Sequence, residues 1–235
     1  AIGTTVTAAP GYPELAVKNL AELTGIDFKN SEDLIAATSD CGAYMTLSSA
    51  IKGLAVKMTK VCNDIRLLAS GPRCGLKEIN LPQLQPGSSI MPGKVNPVAA
   101  EVANQASFLA IGLDTTVMLA ASAGQLELNV MEPVITFALY TQMKVMTNAC
   151  DTLRTKLVEG VTANTERCKD YVMNSIGIVT LLKPHFGYQK CAAIAKEGYT
   201  TGKSLHQIVV DEQHLMTQAE WDATFNTQNL IHPKF

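Results

Sequence analysis

The residues most capable of chemistry lie in one polar stretch, residues 86–101, between two long apolar helical patterns. It contains two adjacent serines, Ser88 and Ser89, and a lysine, Lys94. A helix is predicted to begin directly afterwards, with Asn96 as its N-cap and a proline in its first turn. Because free N–H groups at a helix N-terminus attract anions, this grouping predicts a carboxylate site. A solvated loop between two helices is the alternative.

The elements that must position this loop are long helices. Large apolar residues recur at alternating steps of three and four over residues 44–68, which is an a/d heptad pattern. A second line of small residues, including Ser48, Ala55 and Cys62, repeats every seven positions. We therefore expect a helix that is capped at Ser31 and packed on two sides, as a central member of a bundle.

Two further helices are predicted by the same periodicity, over residues 97–121 and 135–153. Gln142 is the one polar residue in the apolar stripe of the second, so it is expected to form a hydrogen bond inside the bundle. The elements beyond residue 160 are short, and Ser204 and Thr217 are predicted to cap two of them.

These patterns predict an all-α fold with two domains. Residues 1–160 form a long-helix bundle that carries the serine loop at 86–97, and residues 161–235 form a small helical domain.

The composition excludes several classes of protein. The chain has 235 residues, of which 47% are hydrophobic and 17% charged, and its formal net charge is −2. This balance argues against nucleic acid or an anionic membrane as a main partner. The six cysteines include no C-x-x-C pair and the four histidines lack metal-ligand spacing. We therefore expect reduced thiols, no metal site and a cytoplasmic location. Inspection also predicts no membrane span and no targeting peptide.

The loop sequence Gly-Ser-Ser-Ile-Met-Pro-Gly-Lys-Val-Asn-Pro, residues 87–97, resembles the signature of the aspartase/fumarase superfamily. Those enzymes break C–N or C–O bonds by elimination and release fumarate. Four other stretches resemble its aspartate ammonia-lyase branch: residues 71–76, 78–82, 127–135 and 175–180. Fumarases typically carry Phe/Tyr-Lys-Pro where this chain has Met-Glu-Pro, and argininosuccinate and adenylosuccinate lyases usually carry two basic residues before Asn-Pro.

The resemblance implies roles for the loop residues. Ser88 would be the base that removes the substrate proton beta to the leaving group. A serine hydroxyl is too weakly acidic to do this unaided, so it needs nearby N–H groups, cations and exclusion of water. Lys94 and Asn96 would stabilise the aci-carboxylate intermediate and bind a substrate carboxylate. Ser89 would shape the loop beside the substrate, and Met91 would be an apolar contact.

Three further residues are implied to support the site. Glu101 resembles a carboxylate that pairs with an active-site histidine in the family. Gly87 and Gly93 fit a loop that orders over substrate, because glycine gives the backbone freedom at either end.

The resemblance also bears on assembly and cofactors. Family members are homotetramers whose long helices form a central bundle and whose active sites are shared between three subunits. The family's Thr-His pair and Ser/Thr-rich carboxylate segment are not found in this sequence, so we expect the C-terminal half of an enzyme and an incomplete site. No cofactor is expected, and an activating divalent metal such as Mg²⁺ is implied by the resemblance alone.

The expected activity is elimination of ammonia from L-aspartate to give fumarate. Fumarase is the first alternative, because the serine loop is shared and Cys74 is more typical of fumarases. A non-catalytic structural relative or an inactive fragment is the second alternative, since the superfamily includes lens crystallins.

Overall fold

The computed structural model describes residues 2–87 and 90–231. The chain divides into two compact units, Ala1–Thr162 and Ala163–Phe235. The sequence predicted a domain boundary at 160/161, close to this division.

The first unit is built from helices, which confirms the predicted all-α class. Its helices are α1 (Tyr12–Thr24), α2 (Gly42–Leu68), α3 (Val98–Ser122) and α4 (Glu132–Lys156). Short 3₁₀ turns occupy Ala36–Thr38 and Val158–Gly160. Two short strands pair with each other, β1 (Ile79–Asn80) and β2 (Thr162–Ala163).

The start of α2 differs from the prediction of a helix capped by Ser31. The carboxylate of Asp33 accepts hydrogen bonds from the backbone N–H groups of Ile35 and Ala36, at 2.9 and 3.0 Å. Asp40 likewise accepts the N–H of Gly42 at 2.9 Å. These side chains take the backbone donors into local turns, so the helix begins only at Gly42.

α2 lies antiparallel to α3 and contacts it through the predicted seam of small residues. Ser48, Ala55 and Cys62 are each 0% exposed. Small side chains let the two helix backbones approach closely, so the contact has little room for anything larger. The large apolar seam is divided, because Met58 is 8% exposed whereas Leu54 and Val61 remain 46% and 49% exposed within one copy of the chain.

α3 is the central helix of this unit and packs against both α2 and α4. By length and mean hydropathy it could cross a membrane, and it is the one such helix in the described part of the chain. The sequence predicted no membrane span, and a test of length and composition alone does not decide that prediction. However, its buried face carries Asn104, Ser107 and Asp114. These polar side chains face neighbouring helices, as in the core helix of a bundle.

Asn129 organises the turn between α3 and α4. Its Nδ2 donates to the carbonyls of Ala120 and Ala121 at 3.0 and 3.1 Å, and its Oδ1 accepts the N–H of Met131 at 2.8 Å. The side chain is 3% exposed. One buried amide therefore satisfies carbonyls at the end of α3 and an N–H at the start of α4. Within the bundle Gln142 Nε2 donates to the Ala110 carbonyl at 2.9 Å, as predicted.

The second unit has its own core. Its elements are α5 (Thr165–Met173), a 3₁₀ helix (Ile176–Leu182), α6 (Lys183–Thr201), a π-helical segment (Gln207–Glu212), α7 (Gln218–Thr224) and α8 (Thr227–Ile231). Leu182, Ile208 and Trp221 are among its buried residues. Thr217 forms the predicted capping box at α7, and the Ser204 hydroxyl accepts the N–H of Gln207 at 3.2 Å.

Candidate functional site

The predicted site loop leads directly into α3. The predicted base Ser88 and its neighbour Ser89 lie outside the described residues. The predicted N-cap at Asn96 is wrong, because Pro97 occupies that position and its carbonyl accepts the Glu101 N–H at 3.0 Å. The Asn96 side chain is used elsewhere, since its Nδ2 donates to the carbonyl of Gly87 at 2.5 Å.

The two ends of the loop lie in close contact at Gly87. A Cβ added there would lie 1.6 Å from the carbonyl oxygen of Lys94. The absence of a side chain at Gly87 is therefore required by close backbone approach. The second loop glycine has a different role, because Gly93 has φ of +79° with open space around it. That left-handed backbone conformation is the one for which glycine is favoured.

The described part of the loop holds a turn that presents the lysine. The Lys94 N–H donates to the carbonyl of Met91 at 3.3 Å. The Lys94 side chain is exposed, and Met91 is 52% exposed. Asn96 is half-buried where the chain enters α3. An exposed ammonium, an amide donor and a helix N-terminus therefore occur together, and all three attract a carboxylate.

Glu101 lies in the first turn of α3 and is half-buried. A carboxylate at that position is stabilised by the positive end of the helix dipole. The neighbouring Ala99 and Ala100 are buried in the bundle core, which fixes the start of α3.

A polar cluster that sequence inspection did not identify joins α2 to α3. Asp114 accepts hydrogen bonds from the hydroxyl of Ser48 at 2.8 Å and from the ammonium of Lys52 at 2.5 Å. Burial of Asp114 disfavours its charged form, but these donors outweigh it and hold the pKa of the carboxyl below its ordinary value. The sequence did offer one signal, since Asp114 is the one carboxylate of α3 beyond its first turn.

A second polar contact joins the same two helices nearer the loop. Asn104 Nδ2 donates to Oδ1 of Asn63 at 2.8 Å. With the Asp114 cluster, it fixes the register of α2 against α3 at two points along their length.

Metal ligands are not grouped in the part of the chain that the structure describes: it holds no set of three or more His, Cys, Asp or Glu side chains placed to bind an ion. The six cysteines are free; Cys41, Cys62 and Cys191 are buried and Cys74 is exposed.

Comparison with known families gives two matches along the chain. A family model described as lyase matches residues 1–112. A model described as the C-terminus of fumarase C matches residues 178–232. The first match contains the whole predicted site loop.

Curated relatives match over the full chain. This chain is 56% identical to the aspartate ammonia-lyase of Escherichia coli strain K12 over 235 residues, which are 100% of this chain and 49% of that protein. It is 52% identical to the aspartate ammonia-lyase of Helicobacter pylori strain 26695 over 233 residues, 99% of this chain and 50% of that protein. The chain thus spans about half the length of the relatives that it matches.

Solved structures agree on the fold. The crystal structure of a fumarate lyase:delta crystallin from Brucella melitensis bound to cobalt superposes with a TM-score of 0.93 at 40% identity, covering 99% of this chain and 50% of that one. A class II fumarase from Schistosoma mansoni gives a TM-score of 0.87 at 32% identity, covering 96% and 50%. With the loop signature and the relatives' identities, these matches show that the chain belongs to the aspartase/fumarase superfamily of lyases.

Proposed function

We propose that the full-length protein containing this chain is an aspartate ammonia-lyase, which eliminates ammonia from L-aspartate to give fumarate. The observation that carries this proposal is the 56% identity to an aspartate ammonia-lyase along the entire chain. This chain would supply the C-terminal half of the enzyme and would be inactive alone, because it spans about half of the relatives' length.

The proposed reaction assigns a task to each loop residue. Ser88 removes the proton beta to the amino group, the electron pair passes transiently into the adjacent carboxylate, and the C–N bond then breaks to release ammonia. The intermediate carries two negative charges on one carboxylate, so it needs cationic and N–H partners. Lys94 and Asn96 would provide them, with Ser89 and Met91 as further contacts.

The proposed assembly is a homotetramer whose active sites combine loops from several subunits. The partly exposed large seam of α2 supports this, because Tyr44, Leu47, Leu54 and Val61 present an apolar stripe along a long helix. Solvated helices rarely expose such a stripe, which is typical of an interface. We further propose a cytoplasmic enzyme that needs no cofactor, with activation by a divalent metal such as Mg²⁺ proposed from the family resemblance alone.

The test is a Ser88→Ala variant of the full-length protein, assayed by fumarate absorbance with L-aspartate. We expect activity to fall by more than about a hundredfold, because general-base catalysis contributes at least that much. Ser31→Ala, in an exposed turn, is the matched control and should retain activity. Circular dichroism should show both variants folded. Residual activity of Ser88→Ala within about tenfold of wild type would refute the assignment of the base.

Fumarase is the second candidate, favoured by the match of residues 178–232 to the fumarase C C-terminal model. The chemistry is the same except that hydroxide leaves, so L-malate replaces L-aspartate. Parallel assays with the two substrates separate them, since only an ammonia-lyase releases ammonia. Turnover of malate without any of aspartate would establish the fumarase. Turnover of neither by the full-length protein would favour a non-catalytic relative.

A further inference from the structure

The two ends of the site loop are held together by a contact within the chain. Asn96 reaches back nine residues to donate its amide N–H to the Gly87 carbonyl. The backbone of Lys94 packs against Gly87 so closely that a Cβ there would also lie 2.3 Å from the Lys94 carbonyl carbon. We call this contact, formed by Gly87, Lys94 and Asn96, the loop clasp.

The clasp joins a fixed element to an irregular one. Asn96 directly precedes the start of α3, whose first turn is anchored by the buried Ala99 and Ala100. Gly87 follows a segment without helix or strand. The hydrogen bond therefore ties the incoming end of the loop to the rigid helix at its outgoing end. A loop tied at both ends samples fewer conformations than one tied at a single end.

An asparagine amide can serve the clasp and a ligand together. It carries two N–H donors and an oxygen acceptor. The bond to Gly87 uses one N–H and leaves the other for a second acceptor such as a carboxylate. The position of that second donor is then fixed by the first bond.

We propose that Asn96 and Gly87 are positioning residues: the clasp fixes the backbone of Gly87, the residue that directly precedes the proposed base in sequence. This rests on the proposed function. It also gives Gly87 a specific task, since the residue must lack a Cβ for the clasp to close. Opening the clasp should therefore impair catalysis and also weaken substrate binding, because the second donor of Asn96 is released with it.

Gly87→Ala is the decisive variant, because it blocks the clasp sterically while keeping the side chains of Lys94 and Asn96. In the full-length enzyme we expect kcat to fall by about ten- to a hundredfold, as misplacing a reacting group by about 1 Å does, and KM for L-aspartate to rise as well. Gly53→Ala is the matched control, since a Cβ there meets nothing within 4 Å. It should leave both constants unchanged.

A second readout does not depend on activity. Amide hydrogen exchange across residues 90–96 should be at least about tenfold faster in Gly87→Ala and in Asn96→Asp, since each opens the loop locally. Exchange within α3 should stay as in the wild type. Asn96→Asp is isosteric and lacks the N–H donor, so it decides the matter if Gly87→Ala does not fold.

Wild-type kcat together with unchanged exchange in Gly87→Ala would overturn the proposal. A drop in kcat with no change in exchange in either variant would also overturn it, because the loop would then not be released. If the unaltered full-length protein produces no fumarate, the proposed function fails, and the exchange measurement still decides whether the clasp exists.

Discussion

Asp114 illustrates how single residues hold the bundle together. The residue is 8% exposed, and its carboxylate is satisfied by Ser48 and Lys52 from the facing helix. Both donors are more than sixty positions from Asp114 in sequence. Periodicity could indicate that α3 has a buried face, but no local pattern could pair its carboxylate with those donors. This contact was therefore beyond prediction from sequence.

We predict that Asp114→Asn destabilises the chain by about 1–3 kcal/mol at pH 7, because it weakens the bonds to the buried Ser48 hydroxyl and the half-exposed Lys52 ammonium. The folded-state pKa lies below the ordinary value, so the contribution is complete above about pH 4 and is lost as the pH falls through the folded pKa. Urea unfolding at pH 7 and pH 3 measures the difference, which should shrink at the lower pH. Asp27→Asn, at an exposed surface pair, should change little.

The thiols should react at different rates. Cys74 is exposed, whereas Cys62 is 0% exposed and burial raises the pKa of its thiol. Because the thiolate is the reactive form, we expect a disulfide reagent at pH 7.5 to modify Cys74 at least about tenfold faster in the native chain. Mass spectrometry of labelled peptides gives the order. Labelling of Cys62 first, without unfolding, would contradict the packing of α2 on α3.

At the scale of elements, the long helices were predictable and their ends were less so. The 3.6-residue periodicity of α3 and α4 is strong, because each buries one face against neighbours. The start of α2 was missed because Asp33 and Asp40 bind local backbone donors, and such competition leaves no periodic trace. The caps at Ser204 and Thr217 were found because capping depends on residues within one turn.

The turn between α3 and α4 depends on one amide. We predict that Asn129→Ala costs about 1–3 kcal/mol, because it removes the hydrogen bonds to the Met131 N–H and to two helix-end carbonyls in a largely buried site. Thermal unfolding followed by circular dichroism measures it. Ser122→Ala is the control in the same turn, since its hydroxyl bonds only locally and is exposed. Equal stability of the two variants would exclude this role for Asn129.

At the scale of the whole molecule, the family and fold class followed from the sequence, whereas the closure of the site loop did not. The signature at 87–97 is a contiguous pattern and can be recognised by eye. The clasp between Gly87 and Asn96 joins irregular backbone, for which no periodicity exists. The residue types were therefore identified from the sequence, and their contacts required the structure.

The open seam of α2 should determine self-association. We predict that the chain forms particles larger than its 25.2 kDa mass, and that Leu54→Glu shifts them toward that mass, because burying a carboxylate in an apolar interface is strongly unfavourable. Sedimentation velocity measures the distribution. Lys60→Glu, whose side chain is 74% exposed on the same helix, is the control for added charge. An unchanged distribution for Leu54→Glu would exclude this stripe as the interface.

Adjacent positions on α2 should obey different rules of substitution. Ala55 is 0% exposed against α3, so size decides there: glycine, serine or cysteine should be accepted and leucine rejected. Leu54, its neighbour, is 46% exposed within one copy of the chain. We therefore expect this position to accept apolar side chains of different shapes and to reject polar ones. In a saturation library of the full-length protein selected for activity, side-chain volume should limit the tolerated residues at positions that face α3. Side-chain polarity should limit them at positions of the exposed seam. The tolerance profile would then identify both faces of α2 without a structure.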